Sequence, residues 1–301
     1  MSFDLQSYLS ERRNLVEAEL LRISRLPALC HGETGLVPGR LGESMNYSLL
    51  AGGKRLRPIL ALAGCEAMGA QPELALRFGC AVEMIHSYSL IHDDLPAMDD
   101  DDFRRGRPTN HKVYGEAMAI LAGDALLTDA FALVTQSPAP PQVLVELVRE
   151  LSFSAGSPGM VGGQVIDVEA TGKPIELGQL KVLHAMKTGA LFDVSLRGGA
   201  RLGGATAEQL GQIRSYAQAL GLAFQIVDDV LDVTQDLAQL GKDPGSDREA
   251  GKTTYVDLLG VEGAMAHARQ VMDEGIAALA PFGAHADPLR ALGNYTVERK
   301  N

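Results

Sequence analysis

Residues 117–127 read AMAILAGDALL, a stretch that is apolar on almost every side when it is drawn as a helix. A helix with no broad polar face is buried against other helices. Apolar residues also recur at i, i+3, i+4 and i+7 elsewhere, and strand-type alternation is scarce. The helical segments are 73–92, 113–136, 141–155, 175–197, 206–233 and 261–280. The pattern predicts an all-α protein built as a helical bundle.

The composition is that of a soluble globular protein, with 301 residues of which 46% are hydrophobic and 22% charged. Neither a signal peptide nor an uninterrupted apolar run of membrane-spanning length is found, so we expect a cytoplasmic protein without a membrane span. Cys30, Cys65 and Cys80 are odd in number and widely spaced, which indicates neither a disulfide framework nor a zinc site.

The formal net charge of −11 argues against nucleic acid as a partner, because a phosphate backbone needs a basic surface. Any phosphate that this protein binds must therefore meet local cations or metal ions.

One acidic motif lies inside a strongly helical pattern, in FQIVDDVLD at 224–232. Asp228 and Asp232 are at i and i+4, so both carboxylates project from one face of the helix. Burial of like charges among apolar neighbours is costly without a compensating cation. Hard oxygen ligands favour Mg²⁺ or Mn²⁺ over zinc.

Another acidic stretch, IHDDLPAMDDDD at 91–102, follows another apolar helix. Because it comes earlier in the chain, we call it the first acidic motif and 224–232 the second. Asp93 and Asp94 end the helix, and Pro96 bends the chain before Asp99. An isolated acidic run such as 99–102 is usually a solvated surface. The presence of two such motifs, each at or within an apolar helix, instead favours a metal site that holds phosphate.

Basic residues accompany these acidic motifs. Arginine is well suited to bind phosphate, because its guanidinium can donate two hydrogen bonds to phosphate oxygens. The alternative is that exposed arginines pair with neighbouring aspartates. The cations are Arg104, Arg105 and Arg107 after one motif, and Lys54, Arg55 and Arg57 after Gly52-Gly53.

The segment 245–253 resembles a nucleotide-binding loop, but its glycine spacing is wrong and no strand precedes it.

Several ordered motifs now resemble the trans-isoprenyl diphosphate synthases, specifically the short-chain bacterial farnesyl diphosphate synthase branch. They are GGKRLRP (52–58), EMIHSYSLIHDDLPAMDDDDFRRGRPTNH (83–111), GEAMAILAGDALL (115–127), GMVGGQVIDVEATGK (159–173), MKTGALF (186–192), GLAFQIVDDVLDVT (221–234) and LGKDPGSDREAGKTTY (240–255). The resemblance implies one polyprenyl synthetase domain over 1–301, a single antiparallel helical bundle around a large central cavity, and a homodimer.

The resemblance also implies a set of site residues. The ligands of three Mg²⁺ ions, or Mn²⁺, are expected to be Asp93, Asp94, Asp99, Asp228, Asp229 and Asp232. The contacts to the allylic diphosphate are expected to be Arg104, Lys187 and Lys242, with Lys252 closing over one diphosphate. The isopentenyl diphosphate site is expected to be Lys54, Arg57, His86 and Arg105. Thr188 and Gln225 are expected to place polar oxygens near the developing carbocation.

The implied reaction is a head-to-tail condensation of isopentenyl diphosphate with dimethylallyl or geranyl diphosphate, which gives (2E,6E)-farnesyl diphosphate. Cations neutralise the leaving diphosphate, the isopentenyl double bond attacks the allylic cation, and a proton is lost. Tyr88 and Ser89, five and four positions before Asp93, resemble the floor of the product tunnel.

Other readings stay open at this stage. The chain could be a geranyl or geranylgeranyl diphosphate synthase of the same family, or a class I terpene cyclase that ionises the same kind of substrate. A catalytically silent subunit or acidic binding protein is a further alternative, although both motifs keep their aspartates. The role of the basic tail at 297–301 is undecided.

Overall fold

The computed structural model describes residues 3–24, 37–234 and 252–299, and helices make up almost all of this part of the chain. Its strands form one antiparallel hairpin in which Phe103 pairs with Pro108 and Arg104 with Arg107. The prediction of an all-α protein is confirmed. In chain order the elements are α1 (Leu5–Ser24), α2 (Gly39–Leu49), α3 (Leu56–Glu66), α4 (Glu73–Asp93), β1 (Phe103–Arg104), β2 (Arg107–Pro108), α5 (Asn110–Tyr114), α6 (Glu116–Val134), α7 (Pro141–Ala155), α8 (Met160–Ala170), α9 (Leu177–His184), a π-turn (Ala185–Gly189), α10 (Ala190–Leu202), α11 (Ala207–Thr234), α12 (Tyr255–Ala277), a 3₁₀ turn (Ala280–Ala286) and α13 (Asp287–Glu298).

Three predictions from the sequence fall on residues outside the described ranges. They concern Lys242, Cys30 and most of the loop-like segment, 245–251.

The predicted segments 73–92, 141–155 and 206–233 correspond closely to α4, α7 and α11. The other three are interrupted or shifted. The segment 113–136 is broken at Gly115, where φ is 88° and the chain passes from α5 to α6. Such a backbone conformation is open to glycine and strained for other residues.

The predicted helix 175–197 is in fact two helices joined by the π-turn Ala185–Gly189. The predicted helix 261–280 begins earlier, at Tyr255, and is kinked at Gly260. The apolar periodicity of the sequence continues across the π-turn and across the kink at Gly260, so it could not predict either of them. A π-turn adds one residue to a helical turn and is often found at functional sites.

The core consists of two clusters of buried apolar side chains. One is built mainly from α4, α6 and α7, and the other mainly from α11, α12 and α13. Helices α3 and α10 contribute to both. This central pair therefore joins the two halves of the bundle.

Glycines let α3 and α10 approach closely. A Cβ atom at Gly64 of α3 would overlap the carbonyl oxygen of Leu196, and one at Gly199 of α10 would overlap that of Ala61. Both obstacles are backbone atoms, which cannot move aside as a flexible side chain can. The contact therefore holds the backbones of α3 and α10 close together.

Arg55, one of the cations noted in the sequence, is a structural residue. Its side chain is buried, its Nε donates to Glu17 at 2.7 Å, and its Nη1 donates to Glu83 at 2.8 Å. Removal of one partner of a buried ion pair costs about 3–5 kcal/mol. The pairs tie the beginning of α3 to α1 and α4.

Among the described helices, α6 alone is long and apolar enough to cross a membrane on those two criteria, with a mean hydropathy of 1.7. Core helices of soluble proteins satisfy the same criteria, and one face of α6 packs on α4. Its outer face carries Ile120 and Leu121, which are exposed.

Candidate active site

The first acidic motif forms a compact turn at the end of α4. Asp93 is the last residue of the helix, and its carbonyl oxygen accepts a hydrogen bond from the backbone N–H of Asp99 at 2.9 Å. The bend at Pro96 thus brings Asp99 back beside Asp93. Two aspartates that the family resemblance implies as metal ligands, Asp93 and Asp99, are thus held together by the backbone.

Burial raises the pKa of Asp93 to about 6. Among the charges that contribute to this value, Lys187 and Arg104 lower the pKa, while Asp99 and Asp94 raise it. Burial disfavours the charged form of a carboxyl group, and a cation beside it restores that form. The end of α4 is therefore a place where an added cation would be stabilised.

Asp94 already has a cationic partner. It is buried, Arg104 Nε donates to its Oδ1 at 2.6 Å, and Arg104 Nη2 lies 2.5 Å from the same oxygen. Arg104 also contacts Asp101 at 3.3 Å, and Lys112 pairs with Asp102 at 2.6 Å. In this conformation Arg104 therefore braces the acidic turn.

The second motif lies near the end of α11, and its aspartates have different surroundings. Asp228 is partly exposed and accepts from Arg299 Nη2 at 2.6 Å. Asp229 is buried and accepts from the backbone N–H of Tyr255 at 2.7 Å. Asp232 is also buried. Asp229 thereby fixes the beginning of α12 against α11.

Arg299 belongs to the basic tail whose role the sequence left undecided. Its guanidinium stacks on the ring of Phe224, with 4.1 Å between Cζ and the ring centroid, and donates to the Phe224 carbonyl oxygen at 3.0 Å. With its bond to Asp228, the tail reaches the second motif. Only its basic composition signalled this in the sequence.

A cavity of about 180 Å³ lies beside the second motif. It is lined by polar side chains from α8, α9, the π-turn, α11 and the approach to α12. It brings together five residues that the sequence predicts for the site, namely Lys187, Thr188, Gln225, Asp229 and Lys252.

Asp167 organises the lysines of this cavity and was not singled out from the sequence. Its Oδ2 lies 2.6 Å from Nζ of Lys187 and 3.5 Å from Nζ of Lys252. Burial acts to raise the pKa of Asp167, but the two ammonium groups outweigh it and lower the pKa. A carboxylate within the GMVGGQVIDVEATGK motif was the available signal.

A second group of cations lies at the start of α3 and beside α4. Arg57 is half-buried, but its Nε is buried and has no hydrogen-bond partner among the described residues. Burial lowers its pKa to about 10, and nearby Arg105 lowers it while Glu83 and Asp228 raise it. Buried donors are normally satisfied, so this orphaned N–H indicates a place for an anion.

Lys54 and His86 share this environment. Burial lowers the pKa of Lys54, and Arg299 lowers it further. Burial also lowers the pKa of His86 well below its usual value, followed by the charges of Arg57 and Arg105. Arg105 donates to the carbonyl oxygen of Gly52. Four residues predicted for the isopentenyl site thus lie in one positive field.

The proposed tunnel floor is buried next to the first motif. Tyr88 is 6% exposed, and burial, followed by the charge of Asp93, raises its pKa to about 12. The hydroxyl of Ser89 donates to the carbonyl oxygen of His86 at 2.9 Å. Both side chains lie within one turn or so of Asp93 on α4.

Within the described ranges, no three His, Cys, Asp or Glu side chains form an arrangement that could hold a metal ion. The donor chemistry nevertheless fits Mg²⁺, which binds through one or two carboxylates and completes its shell with water and phosphate. The raised pKa of Asp93 is the observation that supports this fit.

Comparisons with known proteins agree with this geometry. The sequence profile of the polyprenyl synthetase family matches residues 38–280. A farnesyl diphosphate synthase of Geobacillus stearothermophilus is 48% identical over 264 residues, which cover 86% of each chain. A chloroplastic geranylgeranyl pyrophosphate synthase of Capsicum annuum is 49% identical over 268 residues, covering 88% of this chain and 73% of the relative.

The fold has a counterpart among solved structures as well. The crystal structure of an FPP/GFPP synthase from Zymomonas mobilis, in its apo form, superposes with a TM-score of 0.85 at 39% sequence identity. The match covers 97% of this chain and 98% of that one. The motifs, the fold and the sequence relatives thus agree, and this chain belongs to the polyprenyl synthetase family of prenyltransferases.

Proposed function

We propose that this protein is a farnesyl diphosphate synthase, which condenses isopentenyl diphosphate with dimethylallyl and then geranyl diphosphate. The observation that carries the proposal is the presence of two separate cationic groups near the acidic motifs. One group surrounds Asp167, and the other surrounds Arg57. A reaction between two diphosphate substrates needs two such places.

The allylic diphosphate is assigned to the side of the acidic motifs. When bound there, Mg²⁺ would neutralise the leaving diphosphate, held by Asp93, Asp94, Asp99, Asp228, Asp229 and Asp232. Lys187 and Lys252, which share Asp167, supply the protein's own positive charge. Arg104 and Lys242 are assigned to the same diphosphate.

The second diphosphate is assigned to Arg57, Lys54, His86 and Arg105. The free Nε–H of Arg57 gives this site a donor that no described residue uses. With a pKa of about 10, Arg57 keeps its charge at neutral pH and can bind phosphate without a metal.

The reacting carbons would lie between these two groups. Thr188 and Gln225 line the cavity next to Lys187, where their oxygens can stabilise a developing allylic cation. Phe192 and Phe224, whose ring centroids are 5.2 Å apart, add apolar surface nearby. An apolar wall keeps water from quenching the cation before the double bond attacks.

The product length is part of the proposal, because relatives carry the names of both farnesyl and geranylgeranyl synthases. The buried ring of Tyr88 near Asp93 supports a C15 product, since it limits the space beyond the diphosphate. The intact second motif and the cations around Arg57 favour condensation over cyclisation.

We also propose that the whole chain, 1–301, acts as one domain and that the enzyme is a cytoplasmic homodimer. Cys65 and Cys80 are buried free thiols, as expected in a reducing compartment. Exposed apolar side chains on three successive helices support a self-association surface. We name it the α6–α8 face, made of Ile120, Leu121, Val145, Phe153, Val161, Val165 and Val168.

Incubation with isopentenyl and dimethylallyl diphosphates and Mg²⁺ should give a linear C15 diphosphate as the main product, and EDTA should abolish turnover. Chromatography after dephosphorylation measures this. Asp93→Ala or Asp228→Ala should lower kcat by about a thousandfold, because each weakens stabilisation of the leaving group. A cyclic hydrocarbon or no product would contradict condensation, while a C10 or C20 main product would contradict only the assigned length.

Asp167→Asn should lower kcat/KM for the allylic diphosphate by about 10- to 100-fold, because Lys187 and Lys252 lose the carboxylate that positions them. Steady-state kinetics with varied allylic substrate measures the effect. The matched control is Asp273→Asn on the exposed side of α12. Equal kinetics for both variants would remove Asp167 from the site.

Tyr88→Ala should make C20 the main product, because removal of the buried ring opens space for a further C5 unit. The control Tyr88→Phe keeps the ring and should retain C15. Chromatography of the chain lengths decides, and an unchanged C15 product from Tyr88→Ala would reject the ring as the tunnel floor.

Leu121→Asp or Val145→Asp should weaken the dimer, because each places a charge in an apolar contact. Sedimentation equilibrium should give twice the 32.0 kDa chain mass for the unmodified protein and a lower mass for the variants. Val182→Asp on α9 is equally exposed but off the α6–α8 face and should leave the mass unchanged. A monomeric unmodified protein would refute the dimer.

A further inference from the structure

His92 occupies a position that the reaction proposed above does not use. It lies on the last turn of α4, one residue before Asp93 and four after Tyr88. Its ring meets that of Tyr88 edge-on, with centroids 5.7 Å apart and an angle of 79° between the planes. Residues at i and i+4 are neighbours on a helix, and edge-to-face rings attract each other.

The other side of the His92 ring is held by α6. Its Nε2 lies 3.1 Å from the carbonyl oxygen of Ile120 and is placed to donate to it. The ring lies directly over Gly123, where a Cβ atom would overlap Nε2 and Cδ2. His92 thus fills a notch in α6 that exists because residue 123 has no side chain.

Gly123 has no conformational reason to be glycine, since its φ is not positive and it lies inside a regular helix. Glycine in a helix interior weakens the helix relative to alanine. The space taken by the His92 ring accounts for the residue. The notch is therefore a built feature of the α4–α6 contact.

Tyr88 depends on packing for its position. Its hydroxyl forms no hydrogen bond with a described residue, although the residue is only 6% exposed. The His92 ring is its aromatic neighbour on α4, and His92 is in turn fixed by α6. If the His92 ring could move, the Tyr88 ring would lose its aromatic contact and could move as well.

We propose that His92, seated over Gly123 and bonded to the Ile120 carbonyl, is a positioning residue that holds the Tyr88 ring in place and so limits product length. The inference rests on the proposed role of Tyr88 as the tunnel floor. His92 acts through Tyr88 and does not touch the diphosphates in this scheme.

The test compares the chain lengths made by His92→Ala, Gly123→Ala and Tyr88→Ala with those of the unmodified enzyme. His92→Ala removes the ring, and Gly123→Ala expels it from the notch. Each should raise the ratio of the next longer product to the main product by about tenfold, the size of effect that one lost ring contact can produce. The control Gly211→Ala adds a Cβ atom inside α11 where nothing lies within 4 Å and should leave the ratio unchanged.

The double variant Tyr88→Ala/His92→Ala makes the test specific to positioning. If His92 acts through Tyr88, the double variant should give the same products as Tyr88→Ala alone. A general loosening of the site would instead add a second shift. His92→Ala adds no atoms to the α4–α6 contact and so causes no steric clash. The test therefore remains valid even if Gly123→Ala fails to fold.

The outcomes separate this inference from the proposed function. If Tyr88→Ala lengthens the product but His92→Ala leaves it unchanged, His92 has no positioning role. If none of the variants changes the length, both His92 and the assigned floor are wrong. If the unmodified enzyme makes a product other than C15, the assigned length fails, and the shift relative to that product still decides the role of His92.

Discussion

The site depends on the cost of placing several carboxylates inside an apolar bundle. Each buried or half-buried acid has a compensating partner: Arg104 for Asp94, Arg299 for Asp228, the Tyr255 N–H for Asp229, and two lysines for Asp167. Asp93 forms no direct ion pair with a described cation, and burial raises its pKa to about 6. The protein thus holds most of its charges in balance and leaves the imbalance where a cation is expected to bind.

The two halves of the site are linked by the core. Helix α3 begins just after Lys54 and carries Arg57, while α10 follows Lys187 and Thr188. The glycine contact between α3 and α10 lets the two backbones meet, so main-chain atoms hold together the helix that carries Arg57 and the helix that follows Lys187. Side-chain flexibility then acts only on the final placement of each charge.

The helices and part of the site could be predicted from the sequence. Apolar periodicity indicates which helix faces are buried, and the spacing of Asp228 and Asp232 places them one helical turn apart. The sequence also predicted a bend at Pro96, and in the structure Asp99 lies beside Asp93 after this bend. Asp167 could not be found this way, since its importance comes from lysines 20 and 85 positions later in the chain (187 − 167 and 252 − 167). The partners of Arg55 and Arg299 are also far away in the sequence, and charge composition carries no information about pairing.

The π-turn adds one residue to the helical path between α9 and α10. One residue corresponds to a rotation of about 100° about the helix axis. Lys187 and Thr188 therefore point in directions that they could not take in a continuous α-helix. At the same time α9 and α10 both keep their apolar faces toward the core. Deletion of one residue here would restore a regular α-helix but would rotate α9 or α10 so that its apolar face no longer points to the core. The π-turn therefore allows both helices to stay packed while Lys187 and Thr188 line the polar cavity.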